Sequence, residues 1–198
     1  MENKKEQVEY EYYCASPLGD ILMKSDGTAL TGLWFADCVD LCEDAGPKED
    51  NAGCAPPPLA EQEKIPAPSP AAGAGELLPV FRQAEEWLRI YFEGRDPGFL
   101  PPVKLEGSAF GKEVWEILKT IPYGRTMSYG EIAKILAERR GIPRMAAQAV
   151  GGAVGKNPVS LIVPCHRVIG TNGSLVGYGG GLDRKKRLLE LEKSPADH

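Results

Sequence analysis

The sequence is poor in histidine and has no long apolar stretch. Of its two histidines, His166 is internal and His198 is the last residue. No apolar run approaches the roughly 20 residues that a helix needs to cross a bilayer. Residues 1–7 lack the apolar core of a signal peptide. These absences argue against helical membrane spans, and we expect an intracellular, cytoplasmic protein.

The cysteines are few and irregularly spaced. Five are present, namely Cys14, Cys38, Cys42, Cys54 and Cys165, a number that favours a reducing compartment over a disulfide framework. Three of them fall close enough together to supply thiolates to a metal. However, no histidine lies near them, and their segment is rich in proline, alanine, glycine and acidic residues. A zinc site is therefore disfavoured, and we expect neither a metal nor another cofactor.

Charge is unevenly distributed along the chain. Residues 1–100 carry a net charge of −11 and residues 101–198 a net charge of +6. A basic half suggests an anionic partner, with nucleic acid as the first choice. Segregation of charge between two domains explains the same numbers, so charge alone does not decide between the two interpretations.

The first half has the pattern of an α/β domain. Apolar residues alternate over 9–35 around turn signals at 17–20 and 25–27, which predicts an antiparallel meander. Residues 36–75 are rich in proline and alanine and predict an irregular insertion. Helical spacing returns over 77–92. A proline pair at 101–102 indicates a linker, so we predict domains at 1–100 and 101–198.

The second half predicts helices. Ser108 is a candidate N-cap, and Ser128 with Glu131 fits a capping box for a helix that runs to about residue 138. Pro143 suits the first position of a third helix over 144–154, which completes a helix-turn-helix. That third helix is rich in alanine and glycine. Such a surface suits close approach to a DNA groove, or tight packing between helices.

Cys165 follows an apolar run at 159–163 that predicts a buried strand. Its neighbour His166 makes it a candidate thiolate nucleophile, while a buried structural cysteine is the alternative. Beyond it, the pattern predicts a hairpin turn at 170–173, a glycine-rich loop at 177–181 that lines a pocket, and a last helix capped by Asp183. Glu192 lies at the end of that helix.

The motifs together resemble the O6-alkylguanine-DNA alkyltransferases, also called methylated-DNA–protein-cysteine methyltransferases. The resemblance is firm over about residues 76–198 and looser over the N-terminal meander. It rests on an ordered set of segments rather than on the cysteine and histidine alone: 121–125, 128–131, 149–152, 157–158, 164–168, and Tyr178 with 180–182.

The resemblance implies an α/β (α+β) fold. A small ribonuclease-H-like N-terminal domain with antiparallel strands would precede a mostly helical, winged helix-turn-helix-like domain. It also implies an activity: direct, stoichiometric transfer of the alkyl group from O6-alkylguanine in double-stranded DNA to Cys165, by a monomer that acts once. O4-alkylthymine is left open as a second substrate. The damaged base would be flipped into a pocket, as enzymes that act on a base require.

The resemblance further implies a role for each site residue. Cys165 would be the nucleophile, His166 would take its proton through a water, Glu192 would orient the imidazole, and Asn157 would support the turn and the thiol. Tyr129 would help rotate the nucleotide, and the loop at Tyr178 would form a wall of the guanine pocket. Contacts with DNA or the base are implied for Tyr129, Gly130, Arg144, Gln148, Ala149, Gly151, Thr171, Tyr178 and Gly179.

One position departs from the family pattern. Gln148 stands where the family often has an arginine that fills the gap left by the flipped base. Two other classes of protein share some of these features. A zinc deaminase is excluded, because it needs a second cysteine where Val168 stands and a His-x-Glu motif that the sequence lacks. A non-catalytic lesion-binding protein of the same fold stays open as the alternative function.

Overall fold

The computed structural model describes residues 8–38 and 77–193, and the first of these ranges forms an antiparallel sheet. Strands β1 (Tyr10–Cys14), β2 (Ile21–Ser25) and β3 (Leu30–Phe35) are paired in that order. Both connections turn at glycines in the left-handed region, Gly19 with φ 114° and Gly27 with φ 98°. The predicted meander is confirmed. A short 3₁₀ helix (Ala36–Cys38) follows β3.

Helix α1 (Pro79–Phe92) packs its apolar face into the core. It begins two residues later than the predicted start at residue 77. Leu78 is extended, with ψ 137°, because the residue before a proline is disfavoured in the helical region. The predicted insertion lies outside the described residues from 39 onward, as do Cys42 and Cys54 of the disfavoured zinc site.

Helices α2 (Ala109–Leu118) and α3 (Tyr129–Arg140) begin at the predicted caps. The Ser108 hydroxyl accepts from the Gly111 N–H at 3.0 Å. Ser128 and Glu131 form the complete capping box. α3 ends at Gly141, whose φ of 63° suits a glycine C-cap.

Helix α4 (Ala147–Gly155) is shorter than predicted. Pro143 and Arg144 lie in an irregular connection, so the prediction of a helix that starts at this proline is wrong. Ala146 is the N-cap and offers no side-chain acceptor, and packing therefore decides where the helix starts. The Trp115 indole N–H donates to the Ala153 carbonyl at 2.8 Å, which anchors α4 on α2.

Cys165 lies in a 3₁₀ helix (Cys165–Arg167), so the predicted strand into the nucleophile is wrong. The apolar run before it forms turns, with Leu161 in the left-handed region at φ 67°. Strand β5 (Val168–Ile169) then pairs in parallel with β4 (Met127–Ser128).

The segment after β5 makes the predicted turn but not the predicted hairpin. The Gly170 N–H donates to Ser174 O at 2.8 Å, yet no further strand follows within 77–193. Helix α5 (Leu182–Lys193) begins one residue before Asp183, so the predicted cap residue lies in its first turn.

The outer edge of β3 holds the turn that leads to Cys165. The Leu33 N–H donates to Pro158 O at 2.9 Å, and the Ser160 N–H donates to Leu33 O at 2.8 Å. Core residues from the sheet, α1, α2, α3 and α4 form one continuous cluster. The α/β class is confirmed. The ribonuclease-H-like and winged likenesses, and the domain bounds at 1–100 and 101–198, stay predictions.

Two further features bear on the sequence-based expectations. Cys14 and Cys165 are free thiols. No helix within residues 8–38 and 77–193 is long and apolar enough to cross a membrane.

Candidate active site

The Cys165 thiol is held inside the protein, with 6% of the residue exposed. Burial raises its pKa, because a thiolate is poorly solvated there; hydrogen bonding by Asn157, the charge of Lys185 and hydrogen bonding by Ser160 oppose this only in part. The resting group is therefore a neutral thiol. It stands at the start of a 3₁₀ helix, immediately before the imidazole of His166.

Asn157 fixes the turn that carries the thiol. Its Nδ2 donates to Val163 O at 2.7 Å, and its Oδ1 accepts from the Val159 N–H at 3.1 Å. The side chain thus bridges both ends of the turn around Leu161, whose left-handed backbone is unfavourable for a branched residue. These two buried bonds hold the strained turn in place.

His166 is completely buried and is oriented by Glu192. The distance between His166 Nε2 and Glu192 Oε1 is 2.7 Å. An ionised carboxylate only accepts hydrogen bonds, so Nε2 carries the proton and Nδ1 carries the free lone pair. Nδ1 is buried and has no hydrogen-bond partner among the described residues. Burial lowers the pKa of His166 although the Glu192 carboxylate opposes this, and the ring is therefore a neutral base.

Three residues besides His166 donate hydrogen bonds to the Glu192 carboxylate. Arg167 donates from Nε at 2.9 Å and from Nη2 at 3.0 Å, the Gly124 N–H donates at 3.0 Å, and the Tyr91 hydroxyl donates at 2.7 Å. Burial raises the pKa of Glu192, but hydrogen bonds from His166 and Arg167 and the charge of Arg167 outweigh it and leave the pKa at about 2. The carboxylate is therefore ionised at neutral pH.

A second group of polar contacts lies on the side of α3 and α5. Lys185 is fully buried, and its Nζ donates to Val176 O at 2.6 Å and to Gly177 O at 3.2 Å. The Tyr129 hydroxyl donates to the same two carbonyls at 3.3 and 3.4 Å. Burial lowers the pKa of Lys185 to about 8. The two side chains hold the loop at 176–177 beside the nucleophile.

Tyr178 packs against the imidazole of His166. Its ring meets the His166 ring edge-on, with centroids 6.4 Å apart. A side chain at Gly180 would approach the Tyr178 ring to 2.6 Å, so a glycine is needed for this ring to take its place. Gly179 between them is partly exposed. The glycine-rich loop thus lies where the sequence placed it, against the site.

The residues with implied DNA contacts fall in two places. Close to the nucleophile, a Cβ at Gly130 would lie 3.0 Å from Thr171 Cγ2, and one at Gly151 would lie 3.9 Å from the Tyr129 ring. These four residues therefore form one surface. Besides Tyr178 and Gly179 in the loop described above, three residues remain, and all three are exposed: Gln148 and Ala149 in the first turn of α4, and Arg144 in the connection before it.

Sequence reasoning missed several residues of the site. Tyr91 was interpreted only as part of an apolar helix face, Arg167 only as part of a motif, and neither Lys185 nor Gly124 was given a role. A buried tyrosine normally needs a partner for its hydroxyl, and that was the one available signal for Tyr91. For Lys185 no sequence signal existed, because a lysine in a charged helix normally faces solvent.

Within 8–38 and 77–193, no group of His, Cys, Asp and Glu could hold a metal.

Known proteins with similar sequences come from one family. Residues 109–194 match the family described as 6-O-methylguanine DNA methyltransferase, DNA binding domain. A methylated-DNA–protein-cysteine methyltransferase of Haemophilus influenzae is 39% identical over 187 residues, which cover 94% of this chain and 87% of that protein.

Two solved structures from Mycobacterium tuberculosis are also similar. Its O6-methylguanine methyltransferase superposes with a TM-score of 0.65 at 38% identity, covering 96% of this chain and 97% of the other. Its OGT in complex with DNA superposes with a TM-score of 0.64 at 39% identity, covering 91% of each chain.

Proposed function

This chain belongs to the methylated-DNA–protein-cysteine methyltransferase family, and we propose from that premise that it repairs DNA by moving the alkyl group of O6-alkylguanine onto Cys165. The observation that carries the proposal is the free lone pair of His166. Its Nδ1 is buried and without a hydrogen bond to the described residues, while Nε2 is held by Glu192 at 2.7 Å. This arrangement provides a base in the residue next to a thiol.

The reaction is a displacement at a saturated carbon. Cys165 gives its proton to His166 Nδ1 through a water, and the sulfur attacks the alkyl carbon in line with the bond to O6. The new S–C bond forms as the C–O6 bond breaks, and the electron pair of that bond stays on the guanine. The imidazolium is stabilised by the Glu192 carboxylate, and the leaving guanine takes up the proton that the thiol gave to His166, returned through water. Since the thioether is not reversed, each molecule acts once.

The opposed pKa shifts suit a stoichiometric reagent. Burial raises the pKa of Cys165 and lowers the pKa of His166, so the resting pair is neutral thiol and neutral imidazole. A neutral thiol is a poor nucleophile and survives in the cell without reacting with other electrophiles. The thiolate forms only when the alkylated base has entered the pocket, and the single acceptor is thereby conserved for the lesion.

DNA is the partner, and the exposed surface of α4 is the proposed contact. Gln148 and Ala149 are exposed there, and the short side chains on this helix allow close approach of a DNA groove. Tyr129, Gly130, Thr171 and Gly151 line the same side, so the flipped base would pass them to reach Cys165. That the lesion is O6-alkylguanine, and that the protein acts as a monomer in the cytoplasm, are parts of this proposal.

Intact-mass measurement after mixing with a short duplex that contains one O6-methylguanine tests the proposal. We expect one added methyl group per protein, mapped by digestion to Cys165, and no gain with undamaged duplex. Tight binding to the lesion without added mass would overturn the proposed transfer. It would favour instead the non-catalytic lesion-binding protein, for which the raised pKa of the thiol is the supporting observation.

A further inference from the structure

We propose that Tyr91 is a positioning residue for alkyl transfer. Through it, the N-terminal half of the chain aligns the imidazole of His166, which is the proposed general base. The inference rests on the function proposed above for Cys165 and His166. Tyr91 belongs to α1, 75 residues before His166 and 101 residues before Glu192 in the sequence. It is completely buried.

The Tyr91 hydroxyl contacts both His166 and Glu192. It donates to Glu192 Oε1 at 2.7 Å and lies 3.1 Å from His166 Nε2. Because the hydroxyl proton points to the carboxylate, its oxygen lone pair is available to the N–H of the imidazole. The imidazole N–H therefore has two acceptors, the carboxylate oxygen and the tyrosine oxygen.

The ring of Tyr91 is fixed on several sides, so the hydroxyl has little freedom. Trp87, one turn earlier on α1, stacks on it with centroids 5.0 Å apart and planes inclined by 9°. Tyr123 and His166 meet it edge-on at 6.0 and 6.1 Å. Rigid packing of this kind is what allows a supporting hydrogen bond to fix the geometry of the reacting groups.

The consequence concerns His166 Nδ1. With Nε2–H held by two acceptors, the tautomer with its lone pair on Nδ1 is favoured, and the ring plane is set before the lesion arrives. When Nδ1 takes the thiol proton, the new positive charge meets acceptors already in place. Removing the hydroxyl takes one donor from Glu192 and one acceptor from His166, while the aromatic packing remains.

Single-turnover kinetics of Tyr91→Phe test this inference. At saturating lesion duplex, we expect the rate constant of methyl transfer to fall by about tenfold or more, the range found when residues supporting a reactive group are changed. The duplex concentration giving half the maximal rate should change less than about twofold, because the hydroxyl does not face DNA. The total methyl transferred per molecule should be unchanged, since this amplitude counts folded protein.

Two tyrosines supply matched controls. Tyr12→Phe removes a hydroxyl that also donates to a carboxylate at 2.7 Å, in this case Glu85 of α1. This hydrogen bond involves neither His166 nor Glu192. Tyr123→Phe removes a hydroxyl close to Tyr91 that has no hydrogen-bond partner among the described residues. Both should transfer methyl at the rate of the unsubstituted protein.

Each outcome has one meaning. An unchanged rate constant in Tyr91→Phe overturns the positioning role, and so does an equal slowing in Tyr123→Phe. A lower amplitude with an unchanged rate constant also overturns it, because the hydroxyl would then support only folding. If the unsubstituted protein itself transfers no methyl group, the proposed function fails instead, so the two failures are distinguishable.

Discussion

Arg167 binds the Glu192 carboxylate through two parallel hydrogen bonds, Nε to Oε2 at 2.9 Å and Nη2 to Oε1 at 3.0 Å. The guanidinium also donates from Nη1 to the Ile121 carbonyl at 2.7 Å. Both charged groups are buried. Bidentate geometry of this kind fixes a carboxylate in orientation as well as in charge. Arg167, the residue two after the nucleophile, therefore holds the group that orients the neighbouring imidazole.

Glu192→Gln is expected to impair both stability and transfer. The amide cannot accept from Arg167 on both atoms, and the arginine charge is left buried and unpaired, which costs about 3–5 kcal/mol in the free energy of unfolding. His166 also loses its charged acceptor, so we expect transfer to slow by at least about tenfold. Denaturant unfolding and single-turnover kinetics measure the two effects. Glu190→Gln, exposed on the same helix, should change neither.

The cost of Glu192→Gln should depend on pH with a definite sign. The folded pKa of Glu192 is about 2, below its ordinary value of 4.5. A depressed pKa contributes stability above the unfolded value and loses it as pH falls through the folded one. The stability gap between the unsubstituted protein and Glu192→Gln should therefore be largest above pH 5 and shrink toward pH 2. A constant gap over this range would contradict the ionised, hydrogen-bonded carboxylate.

Asn157→Ala should disturb the turn that carries the thiol. The buried Val159 N–H loses its partner, at about 1–3 kcal/mol, while Val163 O keeps only the hydrogen bond from the Cys165 N–H. We expect a lower free energy of unfolding and slower transfer, because the turn at Leu161 is strained and relaxes when released. Asn172→Ala is the control, since Asn172 accepts one backbone hydrogen bond on an exposed turn. Equal behaviour of both variants would contradict the role of Asn157.

Cys165→Ser is expected to abolish methyl transfer and leave DNA binding within about twofold. A serine hydroxyl is far less readily ionised than a thiol, and it is similar in size, so the fold is preserved. Intact mass and gel-shift titration on lesion duplex measure the two properties. Cys14→Ser removes the other free thiol of the described residues and should transfer normally. Methyl transfer at a normal rate by Cys165→Ser would contradict the mechanism.

Gln148→Arg should strengthen DNA binding through charge. The side chain is exposed in the first turn of α4, where we place the groove contact. One added phosphate contact steepens the dependence of log K on log salt by about 0.9, and the gain in affinity is greatest at low salt. Titration of duplex at several salt concentrations measures the slope. Gln83→Arg, the same change on the exposed side of α1, should leave the slope unchanged. Equal slopes for the two variants would contradict the assignment of α4 as the DNA contact.

Local patterns in the sequence determined the helix starts at Ser108 and Ser128, the antiparallel meander, and the pairing of a cysteine with a histidine. Each depends on neighbours within a few residues, so short-range hydrogen bonding and side-chain alternation are enough to specify it. The start of α4 at Ala147 could not be predicted from such local patterns, because no side chain caps it. The strand predicted before Cys165 was wrong because Asn157 bonds across the apolar run and winds it into turns.

Only the tertiary structure decided which groups surround the imidazole of His166. Glu192, Tyr91 and Arg167 come from three separate stretches of the chain, and their hydrogen bonds to one another exist only once α1 and α5 have packed around the 3₁₀ helix. Lys185 is charged in sequence yet fully buried in the fold, because two loop carbonyls receive its ammonium group. The sequence by itself indicated the family, through an ordered set of short motifs, and it predicted Cys165 as the nucleophile within one of them. Orientation, tautomer and pKa depend on distances between residues far apart in the chain, and folding alone sets those distances.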